Sequence, residues 1–355
     1  MSTRSWFSRE LVPWYREHRR DLPWRHTRDP YRIWLSEVIL QQTRVDQGLA
    51  YYERFVEHYP TVADLAQAPE GAVMKLWQGL GYYSRARNLM AAARQVQAAH
   101  GGRFPDDHAG LIGLKGVGDY TASAIASMAF DRPEAVVDGN VYRVLARVFG
   151  LDTPIDSTTG RKAFRDLAQR LLDPAHPGDH NQAVMELGAT VCTPRNPHCT
   201  RCPLSPRCIA RLEGRIASLP VKAGRTAVRQ RHFHYLILSR GRSVVLRQRT
   251  GKDIWQDLYE PPVVETPGPG NRRTVGAAAA ALFGRPVVLG ERSGQLRHVL
   301  SHQIILARFW EVELPSGASL PEGWVLAERT DLDRYAVPRL IERFLEKHFA
   351  EDLFS

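Results

Sequence analysis

The four cysteines of this chain lie close together, at Cys192, Cys199, Cys202 and Cys208. In a chain of 355 residues such clustering indicates a metal site, because the cysteines of a disulfide framework would be spread along the sequence. Zinc sites usually pair two Cys-x2-Cys units across a longer loop, and only one such unit is present here. The spacing therefore favours a 4Fe–4S cluster, with zinc as the alternative.

The composition is that of a soluble globular protein, with 43% hydrophobic and 24% charged residues. No apolar run approaches the roughly 18 residues of a membrane span, so we expect no membrane partner. The N-terminal segment lacks the apolar core of a signal peptide, so we expect a cytoplasmic protein. The formal net charge of +10 favours a polyanionic partner.

The spacing of apolar residues predicts a helical region over residues 1–212. One helical stripe consists of Trp34, Val38, Gln41 and Val45, whose spacing predicts a helix that contains all four. Similar patterns lie over residues 47–58, 70–78, 84–99, 119–129, 139–149, 159–172 and 180–190. Residues 213–230 are basic and without periodicity, which indicates a linker.

From residue 231 the pattern becomes mixed. Short β-like runs cover Phe233–Leu238, Val244–Leu246 and Ile304–Val312, and helical patterns cover Val275–Phe283 and Pro338–His348. This mixture predicts a small α+β domain over residues 231–355.

A glycine-rich turn joins two helical stretches at Leu114–Thr121. Gly116 and Gly118 permit a tight turn whose backbone N–H groups face outward at the start of the next helix. Such a turn can bind a phosphate without any side chain. An acidic residue, Asp138, follows some twenty positions later.

Two carboxylates stand out. Asp138 precedes the predicted helix 139–149. It is either only an N-cap or, compatibly, an N-cap whose carboxylate is kept ionised by the helix start and can stabilise a developing positive charge. Glu37 lies at the margin of the apolar stripe, between Trp34 and Gln41. It is either an exposed helix glutamate or a buried one with a raised pKa that can donate a proton.

Several motifs resemble one family. Ser36–Thr43 closely resembles the catalytic helix of adenine DNA glycosylases of the MutY type. The glycine turn resembles the helix-hairpin-helix motif of DNA glycosylases, and the cysteine spacing resembles the iron–sulfur loop of the endonuclease III and adenine glycosylase family. Further similar segments, in the family's order, are residues 22–25, 79–89, 138–141 and 181–188.

The resemblance implies a mainly α-helical glycosylase region. A six-helix subdomain with the hairpin would cover about residues 28–132, and an iron–sulfur subdomain would cover residues 1–27 and 133–212. The cluster would brace the loop that carries the phosphate-contacting candidates Arg195, Arg201 and Arg207.

The resemblance also implies a reaction, in which adenine paired with 8-oxoguanine or guanine in double-stranded DNA is flipped out and excised. Glu37 would be the general acid and Asp138 would stabilise the sugar cation, with Tyr120 and Asn140 orienting them. The implied adenine pocket consists of Trp24, Arg25, Leu40, Val45 and Gln182. The implied DNA-binding residues are Gln42 and Tyr82, which enter the base stack, with Gly116 and Gly118.

The residue at position 120 distinguishes glycosylases that also cleave the DNA strand from those that only remove the base. In related bifunctional glycosylases a lysine there forms a Schiff base and cleaves the strand, whereas this chain has Tyr120. Lys115 stands on the other side of the glycines, and Tyr142 occupies a position where some relatives carry a lysine that traps abasic sites slowly. We therefore expect a monofunctional glycosylase.

The C-terminal block resembles a Nudix-like domain. In the family such a domain reads 8-oxoguanine through a Phe-Ser-His loop, which here is Leu300, Ser301 and His302. The segment Thr274–Phe283 contains no acid, and a working Nudix hydrolase needs a glutamate-rich helix, so we expect no pyrophosphatase activity.

Two rival functions differ in class. A pyrimidine-lesion glycosylase with lyase activity would need the lysine that Tyr120 replaces. An iron–sulfur DNA-binding sensor would need neither Glu37 nor Asp138. We expect a monomer that associates with the nucleoid, as in bacteria.

Overall fold

The computed structural model describes residues 5–224, 228–300, 302–313 and 320–349, so Ser301 lies outside the described residues. The chain forms two compact units. The first comprises Met1–Ala68 and Asn88–Arg225, and the second comprises Pro69–Arg87 and Thr226–Ser355. The second unit therefore includes a segment that the sequence pattern assigns to the helical region.

Helices make up the regular structure up to residue 212. They are α1 (Trp6–His18), α2 (Pro30–Leu40), α3 (Val45–His58), α4 (Val62–Gln67), α5 (Glu70–Leu76), α6 (Ser84–His100), α7 (His108–Ile112), α8 (Asp119–Phe130), α9 (Gly139–Phe149), α10 (Thr158–Leu171), α11 (Pro177–Thr190) and α12 (Ile209–Leu212). None of the helices in the described ranges is long and apolar enough to cross a membrane.

The helices α2 and α3 divide a stretch that the apolar spacing predicts as one helix. The prediction of a single stripe from Trp34 to Val45 is wrong, because α2 ends at Leu40 and Val45 begins α3. Gln42 between them has φ +58°, a left-handed backbone that cannot continue a helix. A side-chain pattern cannot reveal such a reversal.

One core of the first unit joins distant helices. Phe7 and Leu11 of α1 pack in the same cluster as Val144 of α9, Phe164 of α10 and Leu187 of α11. This packing brings the N-terminal helix against a helix that begins at Pro177. The arrangement places the start of α9 and the middle of α11 beside the residues that follow α1.

Residues 213–224 are anchored in the first unit, although their composition suggests a free linker. Leu219 is buried in the core, and Arg147 donates hydrogen bonds to the carbonyl oxygens of Ile216 and Leu219. Asp156 accepts bonds from the backbone N–H groups of Ala223 and Gly224. The hydrogen bonds use backbone groups of residues 216–224, so the amino-acid composition of the segment does not reveal them.

A mixed sheet forms the centre of the second unit. Its strands are β1 (Arg229–Arg240), β2 (Ser243–Gln248), β3 (Tyr259–Glu260), β4 (Val263–Thr266), β5 (Val288–Arg292), β6 (Leu296–Val299), β7 (Gln303–Glu313) and β8 (Trp324–Glu328). The long strands β1 and β7 pair in parallel, and β4, β5 and β6 are antiparallel to them. Strand β2 pairs with β1, β3 and β8.

Two helices, α13 (Arg272–Phe283) and α14 (Arg339–His348), cover the sheet. Phe233 and Tyr235 of β1 share a core cluster with α14, whereas Leu236 and Leu238 share another with α13. This alternation along β1 means that both faces of the sheet are buried. The α+β expectation for this region agrees with the structure.

Candidate active site

A cavity of about 200 Å³ lies in the first unit. Its walls come from the segment after α1, from α2, α8 and α11, and from the starts of α3 and α9. Nine residues that the sequence singles out line this one cavity: Trp24, Arg25, Glu37, Leu40, Val45, Tyr120, Asp138, Asn140 and Gln182. The fold thus brings the four implied catalytic residues and the five implied adenine-pocket residues together.

Glu37 is the buried acid of the cavity. It lies in the last turns of α2, and its residue surface is only 8% exposed. The hydroxyl of Tyr120 on α8 donates a hydrogen bond of 2.7 Å to Glu37 Oε2. Burial raises the pKa of Glu37 to about 7, even though the Tyr120 bond acts to lower it. Glu37 can therefore carry a proton near neutral pH.

Asp138 is the N-cap of α9 and faces the same cavity. Its Oδ1 accepts a 2.7 Å bond from the backbone N–H of Val141, and its Oδ2 accepts a 2.8 Å bond from Asn140 Nδ2. Burial raises the pKa of Asp138, and these donors oppose the rise because they stabilise the anion. Asp138 therefore caps the helix and also presents its carboxyl group to the cavity, the combination that the sequence allows.

Asn140 is itself held in place. Arg143, one turn further along α9, donates a 2.8 Å hydrogen bond to Asn140 Oδ1 and a 2.7 Å bond to the Gly188 carbonyl oxygen. A Cβ on Gly188 would approach the Cβ of Asn140 to 2.6 Å, so the close contact of α9 with α11 depends on this glycine.

Glu186 on α11 is a cavity residue that the sequence interpretation did not assign. Its side chain is fully buried and bonded by two arginines. Arg20 donates hydrogen bonds to Glu186 Oε1 from its backbone N–H (3.0 Å) and its Nε (2.8 Å), and to Oε2 from its Nη2 (2.7 Å). Arg25 Nη2 donates a further bond of 2.6 Å to Oε2. The signal available in the sequence was an acid on the apolar stripe formed by Ala183 and Leu187.

The apolar side of the cavity contains Trp24, whose ring meets Tyr52 edge-on at 5.0 Å. On the polar side, Gln182 Oε1 accepts a 3.0 Å bond from the hydroxyl of Tyr15. An aromatic wall with a few fixed polar groups suits a flat heterocycle. Among the described residues that line the cavity none is a lysine.

The glycine hairpin lies between α7 and α8, as its sequence predicts. Gly116 has φ +74°, and a Cβ there would approach Asn88 Cβ to 2.5 Å, so only glycine fits. Gly118 is the N-cap of α8, whose first N–H groups are available to an anion. The side-chain amide of Gln95 on α6 braces the turn: its Nε2 donates a hydrogen bond to the carbonyl oxygen of Gly113, and its Oε1 accepts one from the backbone N–H of Lys115. The sequence does not reveal these two bonds.

The other implied DNA-binding residues lie at turns. Gln42 is exposed in the turn between α2 and α3. Tyr82, in the second unit, is 41% exposed and also has a left-handed backbone, with φ +47°. Residues with a Cβ rarely adopt this conformation, so both side chains are presented by constrained turns.

A pocket of about 370 Å³ in the second unit contains Leu300 and His302. Leu300 N donates to Gln303 O at 2.8 Å, which closes the turn between β6 and β7. Tyr82 lines the same pocket, together with Arg87 and Trp255, two residues that the sequence interpretation did not single out. Ser301, the middle residue of the predicted reading loop, is not described.

The four cysteines line one small, mostly apolar cavity beside Val144 and Leu187, and all four are free thiols. Arg147 Nη1 lies 3.5 Å from Cys192 Sγ. Four thiols around one space, with a cation beside them, fit the donor set of a 4Fe–4S cluster. Within the part of the chain that the structure describes, no group of three or more His, Cys, Asp or Glu is arranged to hold a metal ion directly.

Comparison with known proteins defines the class first. A profile described as HhH-GPD superfamily base excision DNA repair protein matches residues 35–170, and a profile of the NUDIX domain matches residues 234–347. The protein thus combines a helix-hairpin-helix base-excision domain with a Nudix-like domain.

The relatives then identify the family. The adenine DNA glycosylase of Buchnera aphidicola from Acyrthosiphon pisum is 32% identical over 254 residues, which cover 71% of this chain and 73% of that protein. Those of Rattus norvegicus and Homo sapiens are each 49% identical, over 60% and 58% of this chain. The chain belongs to the adenine DNA glycosylase family, which confirms the family that its motifs predict. It spans only 44% and 39% of the rat and human proteins.

Solved structures support the helical fold. A thermostable thymine-DNA glycosylase aligns with a TM-score of 0.54 and 33% identity, over 58% of this chain and 95% of that chain. A trapped endonuclease III–DNA covalent intermediate aligns with a TM-score of 0.50 over 58% of this chain and 94% of that chain, at 22% identity, which bears on the fold alone.

Proposed function

We propose that this protein is a monofunctional DNA glycosylase that removes adenine paired with 8-oxoguanine or guanine in double-stranded DNA. The observation that carries the proposal is a pair of carboxyls, the buried Glu37 and the partly buried Asp138, facing one cavity with an aromatic wall. The named relatives supply adenine as the base.

The first step is protonation of the leaving base. Glu37, whose pKa of about 7 leaves it substantially protonated at neutral pH, donates its proton to N7 of the flipped adenine. Tyr120 holds the carboxyl of Glu37 through the 2.7 Å bond. The bond between C1′ and N9 then breaks, and its electron pair leaves with the neutral adenine.

The second step is capture of the sugar cation. Asp138, with its anion stabilised by Val141 N–H and Asn140, balances the positive charge that develops at C1′. Water adds to C1′ and returns its proton to Glu37, which restores the starting state. Two carboxyls with different partners can thus fill an acid role and an anionic role.

The product should be an intact abasic strand. Schiff-base chemistry needs a lysine, and position 120 is a tyrosine. An oligonucleotide duplex with adenine opposite 8-oxoguanine tests this: strand breakage should require alkali or heat, and borohydride should trap little protein on DNA. Adenine left in place would contradict the glycosylase assignment, and efficient trapping would contradict the monofunctional one. A thymine–guanine duplex serves as the control for base choice.

We also propose that Cys192, Cys199, Cys202 and Cys208 hold a 4Fe–4S cluster. When bound, such a cluster supplies a rigid support for the loop that carries Arg195, Arg201 and Arg207, from which phosphates can be contacted. Purified protein should be brown and contain about four irons, and Cys199→Ser should lower its melting temperature or its DNA affinity. One zinc and no iron would refute the cluster.

We further propose that the second unit reads the base opposite adenine. 8-Oxoguanine differs from guanine at O8 and N7–H, so a reader needs a donor to O8 or an acceptor for N7–H. Ser301 can supply either function and His302 lies next to it in the sequence. Substituting Ser301→Ala with His302→Ala should narrow the preference for adenine opposite 8-oxoguanine over adenine opposite guanine by about 10-fold, since one such contact is worth about 1–3 kcal/mol.

The measurement is the ratio of affinities and excision rates for the two duplexes at fixed salt. An unchanged ratio in the double variant would show that the loop does not read the lesion. We propose in addition that the protein is cytoplasmic and acts as a monomer. Sedimentation analysis of the DNA-free protein tests the monomeric state.

A further inference from the structure

A short loop of the second unit, between β2 and β3, has an unusual backbone. Trp255 has φ +59° and Asp257 has φ +65°, and both carry a Cβ. Such conformations persist only where surrounding contacts hold them. The contacts that hold this loop therefore decide where the ring of Trp255 lies.

Arg87 makes two of these contacts. It belongs to the first turn of α6 and follows Tyr82 by five residues, and both lie in the second unit. Its Nη1 donates a 2.7 Å hydrogen bond to the carbonyl oxygen of Gln256 and lies 3.2 Å from Asp257 Oδ2. The Arg87 and Asp257 side chains are 24% and 27% exposed, so the pair is partly shielded from water.

The loop forms one wall of the pocket that contains Tyr82, Leu300 and His302. The ring of Trp255 also meets His298 of β6 edge-on at 5.6 Å, directly before the β6–β7 turn. Trp255 thus lies between the segment that carries Tyr82 and the turn that carries Leu300. A shift of Trp255 would alter the shape of the pocket on both sides.

We propose that Arg87 is a positioning residue for specificity: it clamps the Trp255 loop to the Tyr82 segment and thereby sets the preference for the base opposite adenine. This inference rests on the proposed lesion-reading function of the second unit. Arg87 acts through Trp255 and lies outside the cavity that contains Glu37, so adenine release should not depend on it.

The test compares four variants in the full chain. Arg87→Ala should lower the preference for 8-oxoguanine over guanine by about 3- to 10-fold, since a partly exposed ion pair and a charged hydrogen bond are lost. Arg87→Lys should retain part of the preference. Asp257→Gly keeps the left-handed backbone and the Gln256 bond, so its effect should be smaller. Arg94→Ala removes an exposed cation from the same helix and is the matched control.

A double-variant cycle separates positioning from charge loss. If Arg87 acts through Trp255, Arg87→Ala combined with Trp255→Leu should be no worse than Trp255→Leu alone. Hydrogen exchange of residues 253–258 should be faster in Arg87→Ala than in Arg94→Ala, a readout independent of activity. The adenine excision rate under single-turnover, saturating conditions should stay within about 2-fold of the unsubstituted protein.

The outcomes are distinct. If the unsubstituted protein itself shows no preference between the two duplexes, the lesion-reading function fails and the inference falls with it. If it shows the preference but Arg87→Ala keeps it, or the loop's hydrogen exchange is unchanged, the inference alone is overturned. Full additivity of the two substitutions would also overturn it.

Discussion

The two walls of the cavity in the first unit each contain a buried glutamate, and the two behave in opposite ways. Glu37, on the wall formed by α2 and α8, has the neutral hydroxyl of Tyr120 as its partner, and its pKa is raised to about 7. Glu186, on the wall formed by α11, is buried too, which by itself raises its pKa. Bonds from Arg20 and Arg25 outweigh that effect and lower it to about 2.

Burial raises the pKa of both groups, so the difference between them comes from their partners: two guanidiniums outweigh the effect of burial, and a neutral hydroxyl does not. The two guanidiniums keep Glu186 ionised at neutral pH, and the carboxylate in turn fixes the positions of Arg20 and Arg25. A hydroxyl leaves Glu37 able to gain and lose a proton near neutral pH. The following substitutions test this contrast.

The largest effect should come from Glu37→Gln. The amide is nearly isosteric but cannot act as an acid, and general acid catalysis is worth about 10² to 10⁴ in rate. Single-turnover excision should fall by at least that factor while binding to the DNA duplex is retained. Near-normal excision by this variant would contradict the role of Glu37.

The next effect should come from Glu186→Gln. It leaves Arg20 and Arg25 without their counter-charge, and loss of one partner of a buried pair costs about 3–4 kcal/mol. Because the folded-state pKa of about 2 lies below the ordinary 4.5, this stabilisation is complete above about pH 4.5 and is lost as pH falls towards 2. Urea unfolding at pH 7 and pH 3.5 measures it, and an equal loss at both values would contradict the ion-pair account.

A smaller effect, of opposite sign, should appear in the stability of Glu37→Gln. The folded-state pKa of Glu37 is raised from 4.5 to about 7, so ionising Glu37 destabilises the fold as pH rises through that range. At pH 8 the glutamine variant should be about 2–3 kcal/mol more stable than the unsubstituted protein, and at pH 5 nearly equal to it. Glu53→Gln, which alters an exposed glutamate of α3, is the control.

The smallest effect should come from Tyr120→Phe. Excision by the unsubstituted protein should fall as pH rises through about 7, because the acid is lost. The Tyr120 bond lowers the pKa of Glu37, so its removal should move this fall to higher pH. A pH–rate profile that moves to lower pH, or stays in place, would show that Tyr120 does not stabilise the carboxylate.

The fold is most predictable where local sequence signals mark the start of a helix. Asp138 and the glycine hairpin mark the starts of α9 and α8 through local chemistry, and the apolar spacing predicts most helices of the first unit. The break at Gln42 and the strands β3 to β6 and β8 were not predicted. The first depends on one backbone angle, and these short strands are stabilised by pairing with distant partners.

The candidate site follows the same division. Glu37, Tyr120 and Asp138 stand in recognisable local motifs, so they could be singled out before their distances were known. Glu186 and Arg87 could not, because their meaning lies in partners 166 and 170 positions away, Arg20 and Asp257. The role of such a residue is visible only once the chain has folded and its partner is known.

The bonds between the start of the first unit and α11 have a consequence for the order of assembly. Ser8 with His180, Tyr15 with Gln182 and Arg20 with Glu186 are separated by 172, 167 and 166 residues. Contacts of such long range form late, because the entropy of closing the intervening chain must be overcome first. During synthesis α1 therefore leaves the ribosome long before its partner helix exists. We therefore expect the wall that contains Glu186 to close late, and the cavity to be among the last features of the first unit to form.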